Sequence, residues 1–346
     1  TLHGGISLQR TLPNGTPANQ GSPGTGVGKV GQFEKMELGI RLDSLTESGI
    51  DQFLSGFNSP NALNPFDPRD IDIEVFFATR FNGQPVRGKS HGFFYQDYER
   101  APNPTGVLNC CWNPITNDHR FRVRFTPRVL GEWSYQIRIR IKGQPALNLG
   151  TYHFVCVPSA PSSRDFVHVG PNKRFFQIGN ESYFPVGLNI PWPEYPEDSS
   201  GSKAYYSNKP VNTDRYDLYR DRLQTAKDAG ANAFRMLLAP WNHEIEFEKL
   251  GDYSDRLTHA WELDQTLTFC RDQDLRIHFN MQVHYPFELP TKFGHAFWDW
   301  GDYSYYDTTL VASCADIPGD RPYCYPGELG SVRTPKYFLQ NDTARR

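Results

Sequence analysis

Side chains with chemical potential cluster where apolar runs of this sequence end. His284 closes the run 275–284, and an imidazole there can bond a hydroxyl or orient a carboxylate. A histidine satisfied inside the fold is the alternative. His243 and Glu244 follow Trp241, just past the run 232–238. They can face a ligand, or be loop residues with no specific task. His278 lies earlier in its run and reads as a packing or internally bonded residue. A metal held by His243, Glu244 and His284 is conceivable, but no His-Glu-x-x-His or similar spacing supports it. No metal or other cofactor is therefore expected. Gly24-x-Gly26-x-Gly28 lacks a strand before it and a helix after it, and no Ser-His-Asp order or phosphate loop stands out.

The runs around these residues define the elements that must position them. Residues 1–30 are rich in Gly, Pro, Asn, Ser and Thr and read as a linker or the tail of an upstream region. Residues 31–158 alternate with period two. Ile71, Ile73, Val75 and Phe77 alternate with Asp72, Glu74 and Phe76, and Phe121, Val123 and Phe125 with Arg120, Arg122 and Arg124. Trp133, Tyr135, Ile137, Ile139 and Ile141 alternate with Ser134, Gln136, Arg138 and Arg140. One wet and one dry face predict an antiparallel sheet or sandwich. The arginine rows can grip an acidic polymer or, more simply, form a solvated face.

Residues 159–165 form a linker, and 166–346 change character. Two tight turns precede a buried strand ending at Asn189. Tyr216, Tyr219, Leu223 and Ala226 then fall at helical spacing, with Asn212 or Thr213 as cap and Gly230 as stop. A strand follows over 232–238, then a second helical stripe of Leu257, Ala260, Leu263, Leu267 and Cys270, and a third strand over 275–284. Thr334-Pro335 opens a further helix. Strands alternating with helices predict a parallel sheet with crossover connections. The long connections 191–211 and 285–333 both follow the carboxyl end of a strand, the face on which (β/α)8 barrels build their sites.

The totals set outer limits. At 346 residues the chain suits two domains. A net charge of -3 argues against whole-chain attraction to nucleic acid. No run approaches the roughly 20 apolar residues of a membrane span, and no signal peptide opens the chain, as in a processed protein. Cys314 and Cys324 share a Gly/Pro-rich stretch and are disulfide candidates, with free thiols the alternative. Cys270 reads as a buried helix residue.

Motif combinations carry two resemblances. Arg124-Phe125-Thr126-Pro127, Gly131-Glu132-Trp133-Ser134-Tyr135, Asn64-Pro65-Phe66-Asp67-Pro68 and Gly92-Phe93-Phe94-Tyr95 together resemble the β-sandwich module called domain of unknown function 5060. That module sits in front of glycoside hydrolase barrels. The segment from Phe166 to Asn189, ending Gly187-Leu188-Asn189, resembles the entry hairpin and first strand of clan A glycoside hydrolases, the cellulase-like group. Asn232-Ala233-Phe234-Arg235 looks like that clan's second strand, and Met281-Gln282-Val283-His284 like the end of its third. Asn189, Arg235 and His284 are 46 and 49 residues apart, one strand–helix unit each.

The resemblance implies an N-terminal Ig-like antiparallel β-sandwich followed by the first half of a TIM (β/α)8 barrel. It implies part of a secreted retaining glycoside hydrolase acting on a polysaccharide or oligosaccharide. Such enzymes need two carboxyl groups about 5–5.5 Å apart, which the clan carries on its fourth and seventh strands. The chain ends at Arg346, before those strands, so no catalytic residue is expected within it. Asn180-Glu181, in a turn, does not qualify. Asn189, Arg235 and His284 are expected to face the sugar, Arg235 also keeping a neighbouring carboxylate ionised. A core-edge arginine pairing with a neighbouring strand is the alternative for it. Trp192, Trp241 and His243 complete the expected substrate-binding set, the tryptophans stacking on pyranose faces. Since half a barrel leaves an open edge and an unfilled interior, completion by the rest of the polypeptide or a partner chain is expected. The expected location is extracellular, cell-surface or periplasmic. The competing reading is a non-catalytic glycan-binding or surface-assembly protein.

Overall fold

The computed structural model describes residues 7–11, 17–18, 28–57, 59–100, 112–116, 119–159, 166–191, 215–238, 242–243, 245 and 251–281. In chain order these form β1 (Ser7–Thr11), β2 (Pro17–Ala18), β3 (Gly28–Gly31), β4 (Met36–Arg41), α1 (Ser44–Leu54), β5 (Ile71–Phe81), β6 (Gln84–Phe94), β7 (Tyr98–Arg100) and β8 (Trp112–Pro114). They continue with β9 (Phe121–Phe125), β10 (Gly131–Ile141), β11 (Leu147–Val157), β12 (Val167–Val169), β13 (Phe176–Ile178) and β14 (Glu181–Tyr183). Last come β15 (Gly187–Asn189), α2 (Arg215–Asp228), β16 (Ala233–Leu237), α3 (Leu257–Asp272) and β17 (Arg276–Asn280). The contacts divide the chain into two units: residues up to Asp97 with Pro114–Pro185, and Tyr98–Asn113 with Val186 onward.

The first unit corrects the expected Ig-like sandwich. Nine of its strands make one continuous sheet in the order β2-β1-β4-β9-β6-β5-β10-β11-β3, and β12, β13 and β14 form a separate antiparallel sheet. The seven from β4 to β3 curl into a nearly closed mixed barrel, since β3 pairs parallel with β11 and leads back to β4 within a few residues. Strand β6 makes the bend. It pairs with β5 over Gln84–His91 and with β9 over Gly92–Phe94. A Cβ at Gly88 would meet the Phe125 ring at 2.8 Å, and one at Gly92 would meet Ile73 at 2.7 Å. Glycine at both places lets the strand cross the core closely. Alternation predicts a dry face in a sandwich and in a barrel alike, so it does not choose between them.

The alternating positions themselves do fill the interior. Ile73, Val75, Phe77, Phe121, Val123, Trp133, Ile137, Ile139 and Phe154 are all buried. Phe77 and Phe125 stack with ring centroids 3.8 Å apart. Helix α1 interrupts a stretch the periodicity reads as all β. Asp43 caps it, accepting from the Leu45 and Thr46 amides, and Glu47 accepts from the Leu42 amide.

The second unit corrects the expected half of a TIM barrel. Among the described residues it holds three parallel strands, β15-β16-β17, two connecting helices and the small β7-β8 pair, within a chain dominated by strands. A strand–helix rhythm predicts parallel pairing, but neither the number of units nor closure. The helices lie where the spacing places them. Tyr219, Leu223, Leu263 and Cys270 pack with Phe234, Met236 and Leu275 in one core. Gly230, with φ of 92°, ends the first helix. The helix expected at Thr334-Pro335 falls outside the described residues.

Candidate functional site

The carboxyl ends of the three parallel strands carry the polar residues of interest. Gly187 pairs with Ala233, Leu188 with Phe234 and Asn189 with Arg235. In the next pairing Ala233 faces Arg276, Phe234 faces Ile277, Arg235 faces His278 and Leu237 faces Asn280. Register partners in a parallel ladder present side chains to the same face. Phe234 and Met236 are buried in the helix core, so Arg235 belongs to the opposite face. Asn189, Arg235 and His278 thus form one row across the sheet, each exposed. Asn280 stands further along its strand, and the Arg235 Nε donates to Asn280 Oδ1 at 3.3 Å.

Three devices hold the row. At its foot, the Val186 amide donates to Asn232 Oδ1 at 2.8 Å, and the Asn232 amide donates to the Val186 carbonyl at 2.9 Å. Gly187 is a steric necessity, since a Cβ there would sit 1.6 Å from the Ala233 carbonyl oxygen. Above the row, buried Asn242 acts as a bolt. Its Nδ2 donates to the Leu237 carbonyl at 2.7 Å and the Tyr219 hydroxyl at 2.8 Å, and lies 3.2 Å from the Pro191 carbonyl. Tyr219 donates to the same Pro191 carbonyl at 3.0 Å. One amide therefore joins the ends of β15 and β16 to helix α2.

Of the residues expected to bind substrate, Asn189 and Arg235 come together as register partners. His243 lies beyond β16 with no exposed surface and φ of 55°, its ring stacked on Tyr219 at 5.5 Å. Trp192, Trp241, Glu244, His284, Cys314 and Cys324 lie outside the described residues. His278, read from sequence as an internal residue, is an exposed member of the row. It and Asn280 escape single-sequence reading, because only strand register brings them beside Arg235. Cys270 is buried and free, and burial pushes its thiol up to about 12.

The arginine rows of the first unit are occupied by the protein's own acids. Arg138 binds Glu74, Arg140 binds Asp72 and Glu74, and Lys89 binds Glu74. Arg120 reaches Glu47 at 3.2 Å and Asp51 at 2.6 Å. Arg124 reaches Glu37 at 2.6 Å and Arg122 reaches Asp97 at 2.7 Å. Asp72, Glu74 and His91 bring possible ligand atoms within 4.8 Å of one another. Their carboxylates already neutralise arginine and lysine, so the cluster serves cross-strand pairing. Burial pushes Glu74 up, but its bonds to Lys89 and Arg138 outweigh that and hold it below the usual carboxylate range.

No protein-family model matches the chain, and no curated protein matches it by sequence. Among solved structures, a proposed glycoside hydrolase from Bacteroides vulgatus is a neighbour at 16% identity and TM-score 0.41, over 73% of this chain. This chain spans 41% of that protein's length. Purple acid phosphatase PPD1 from yellow lupin superposes over 87% of this chain and 39% of its own, at 10% identity and TM-score 0.22. A β-glucuronidase from Parabacteroides merdae does so over 80% of this chain and 23% of its own, at 11% identity and TM-score 0.19. No described helix is long and apolar enough to cross a membrane.

Proposed function

We propose that this chain is the substrate-gripping part of a secreted retaining glycoside hydrolase acting on a polysaccharide or oligosaccharide. The observation that carries the reading is the exposed row Asn189–Arg235–His278 on the sheet face away from the helices. An asparagine amide offers donors and an acceptor together, and a guanidinium offers a fixed fork of donors. Side by side, such groups suit the neighbouring hydroxyls of a sugar ring. Trp192 and Trp241, close after strand ends in sequence, supply the flat surfaces on which pyranose rings stack.

Retaining hydrolysis requires two carboxyl groups about 5–5.5 Å apart. Among the described residues, the face bearing the row has no such pair. The row's part is therefore to bind and orient. The same feature favours a second reading, in which the chain belongs to a glycan-binding protein without hydrolytic activity.

The test is calorimetric titration of the chain with neutral and acidic oligosaccharides, alongside an assay for new reducing ends. Binding without turnover is expected, weakened about tenfold by Asn189→Ala, the loss of roughly one good hydrogen bond. Failure to bind any oligosaccharide would sink the reading, and turnover by this chain would show that it holds its own carboxylate pair.

A further inference from the structure

We infer that the Arg235–His278 row binds the carboxylate of an acidic sugar, so that the glycan recognised contains uronic acid. The inference rests on the carbohydrate reading above and adds the charge of the substrate.

On the sheet of the first unit, Arg120, Arg122, Arg124, Arg138 and Arg140 each meet a carboxylate from a neighbouring element. Arg235 is placed differently. Its hydrogen bond is to the neutral amide oxygen of Asn280, and among the described residues no carboxylate pairs with it. The bond uses Nε, which leaves both terminal nitrogens of the fork for a ligand.

The neighbours add to the effect. His278 is the direct register partner of Arg235, and Asn189 is the partner on the other side. Adjacent strands lie about 4.8 Å apart, so Arg235 and either neighbour lie within the reach of one sugar ring. Arg276, on the next strand, is paired with Asp274 at 3.1 Å and adds no free charge. What remains is an exposed guanidinium flanked by an imidazole and an amide, with no acid paired to it among the described residues. Planar bidentate capture of a carboxylate is what that geometry does best. The whole chain has a net charge of -3, so general attraction does not draw acidic polymers to it. Any preference for an anion has to be local.

The experiment compares a trigalacturonate with a neutral galactose trisaccharide, by calorimetry on the full chain. The acidic trimer is expected to bind about tenfold more tightly, with an advantage that shrinks in 0.5 M salt. Arg235→Gln is expected to abolish the advantage of the acidic trimer over the neutral one, and Arg235→Lys to keep only part of it, because a lysine lacks the fork. His278→Gln is expected to reduce it several-fold. Arg235 and His278 are exposed, so unchanged thermal unfolding should accompany all three variants. Equal binding of the two trimers would overturn the inference and leave the carbohydrate reading standing; it is the outcome if a carboxylate of the protein itself occupies Arg235. Binding of neither trimer would overturn both.

Discussion

Asn242 shows how one side chain can hold a site that it does not enter. It is fully buried and bonded to Leu237, Tyr219 and Pro191, the ends of two strands and a helix. Removing it takes a donor from the Leu237 carbonyl and the buried Tyr219 hydroxyl, while the Pro191 carbonyl keeps the Tyr219 hydroxyl and the Leu237 amide. Asn242→Ala is expected to cost about 2–3 kcal/mol, measured as a lower denaturant midpoint with an unchanged slope. Tyr219→Phe, which removes only the hydroxyl, should cost about 1 kcal/mol by the same measurement. Arg235 is the opposite kind of residue. It is exposed and adds little to folding, so its substitution should register in binding alone.

Among the elements, β15 is the tightest fit. Its three residues reach β16 so closely that the Gly187 position has no room for a methyl group. Gly187→Ala is expected to push β15 away from Ala233 and break the Asn189–Arg235 pairing. Loss of oligosaccharide binding together with a lowered melting temperature would bear this out; full binding by the variant would refute it. The sequence motif Gly187-Leu188-Asn189 marks the place, but the reason for the glycine is a backbone contact with a residue 46 positions away. The helices were more legible. Tyr219, Leu223 and Cys270 sit at helical spacing and are buried as that spacing requires. Helix α1 was hidden because a brief helix in a β region leaves little periodic signal, although Asp43 and Glu47 are its capping residues.

At the scale of the whole molecule, charge pairing sets the response to acid. Glu74 is buried, which pushes it up, but its bonds to Lys89 and Arg138 outweigh that and hold it below its ordinary range. A carboxylate depressed in the folded state adds stability at neutral pH, and this contribution is lost as pH falls through the folded value. The chain should therefore lose stability steadily below about pH 4.5, the ordinary value for glutamate. Glu74→Gln is expected to cost about 1 kcal/mol at neutral pH and to flatten that acid limb, since the partly exposed Lys89 and Arg138 lose a partner while Arg140 keeps Asp72. Thermal unfolding between pH 3 and pH 7 reads both effects, and an unchanged acid limb in the variant would contradict the assignment.

The sequence alone placed inward-turning positions such as Ile73, Val75, Phe77, Tyr219 and Leu223, and set Arg235 on a strand. Those properties follow from local periodicity, because a pleated strand and a helix each repeat over a few residues. Tertiary structure decided what periodicity leaves open. It joined the β region into one curled sheet rather than two packed ones, through the bend of β6 at Gly88 and Gly92. It limited the described parallel sheet to three strands. It also set His278 beside Arg235 and Asn280 within its reach, since strand register depends on contacts between distant segments and leaves no trace in local spacing.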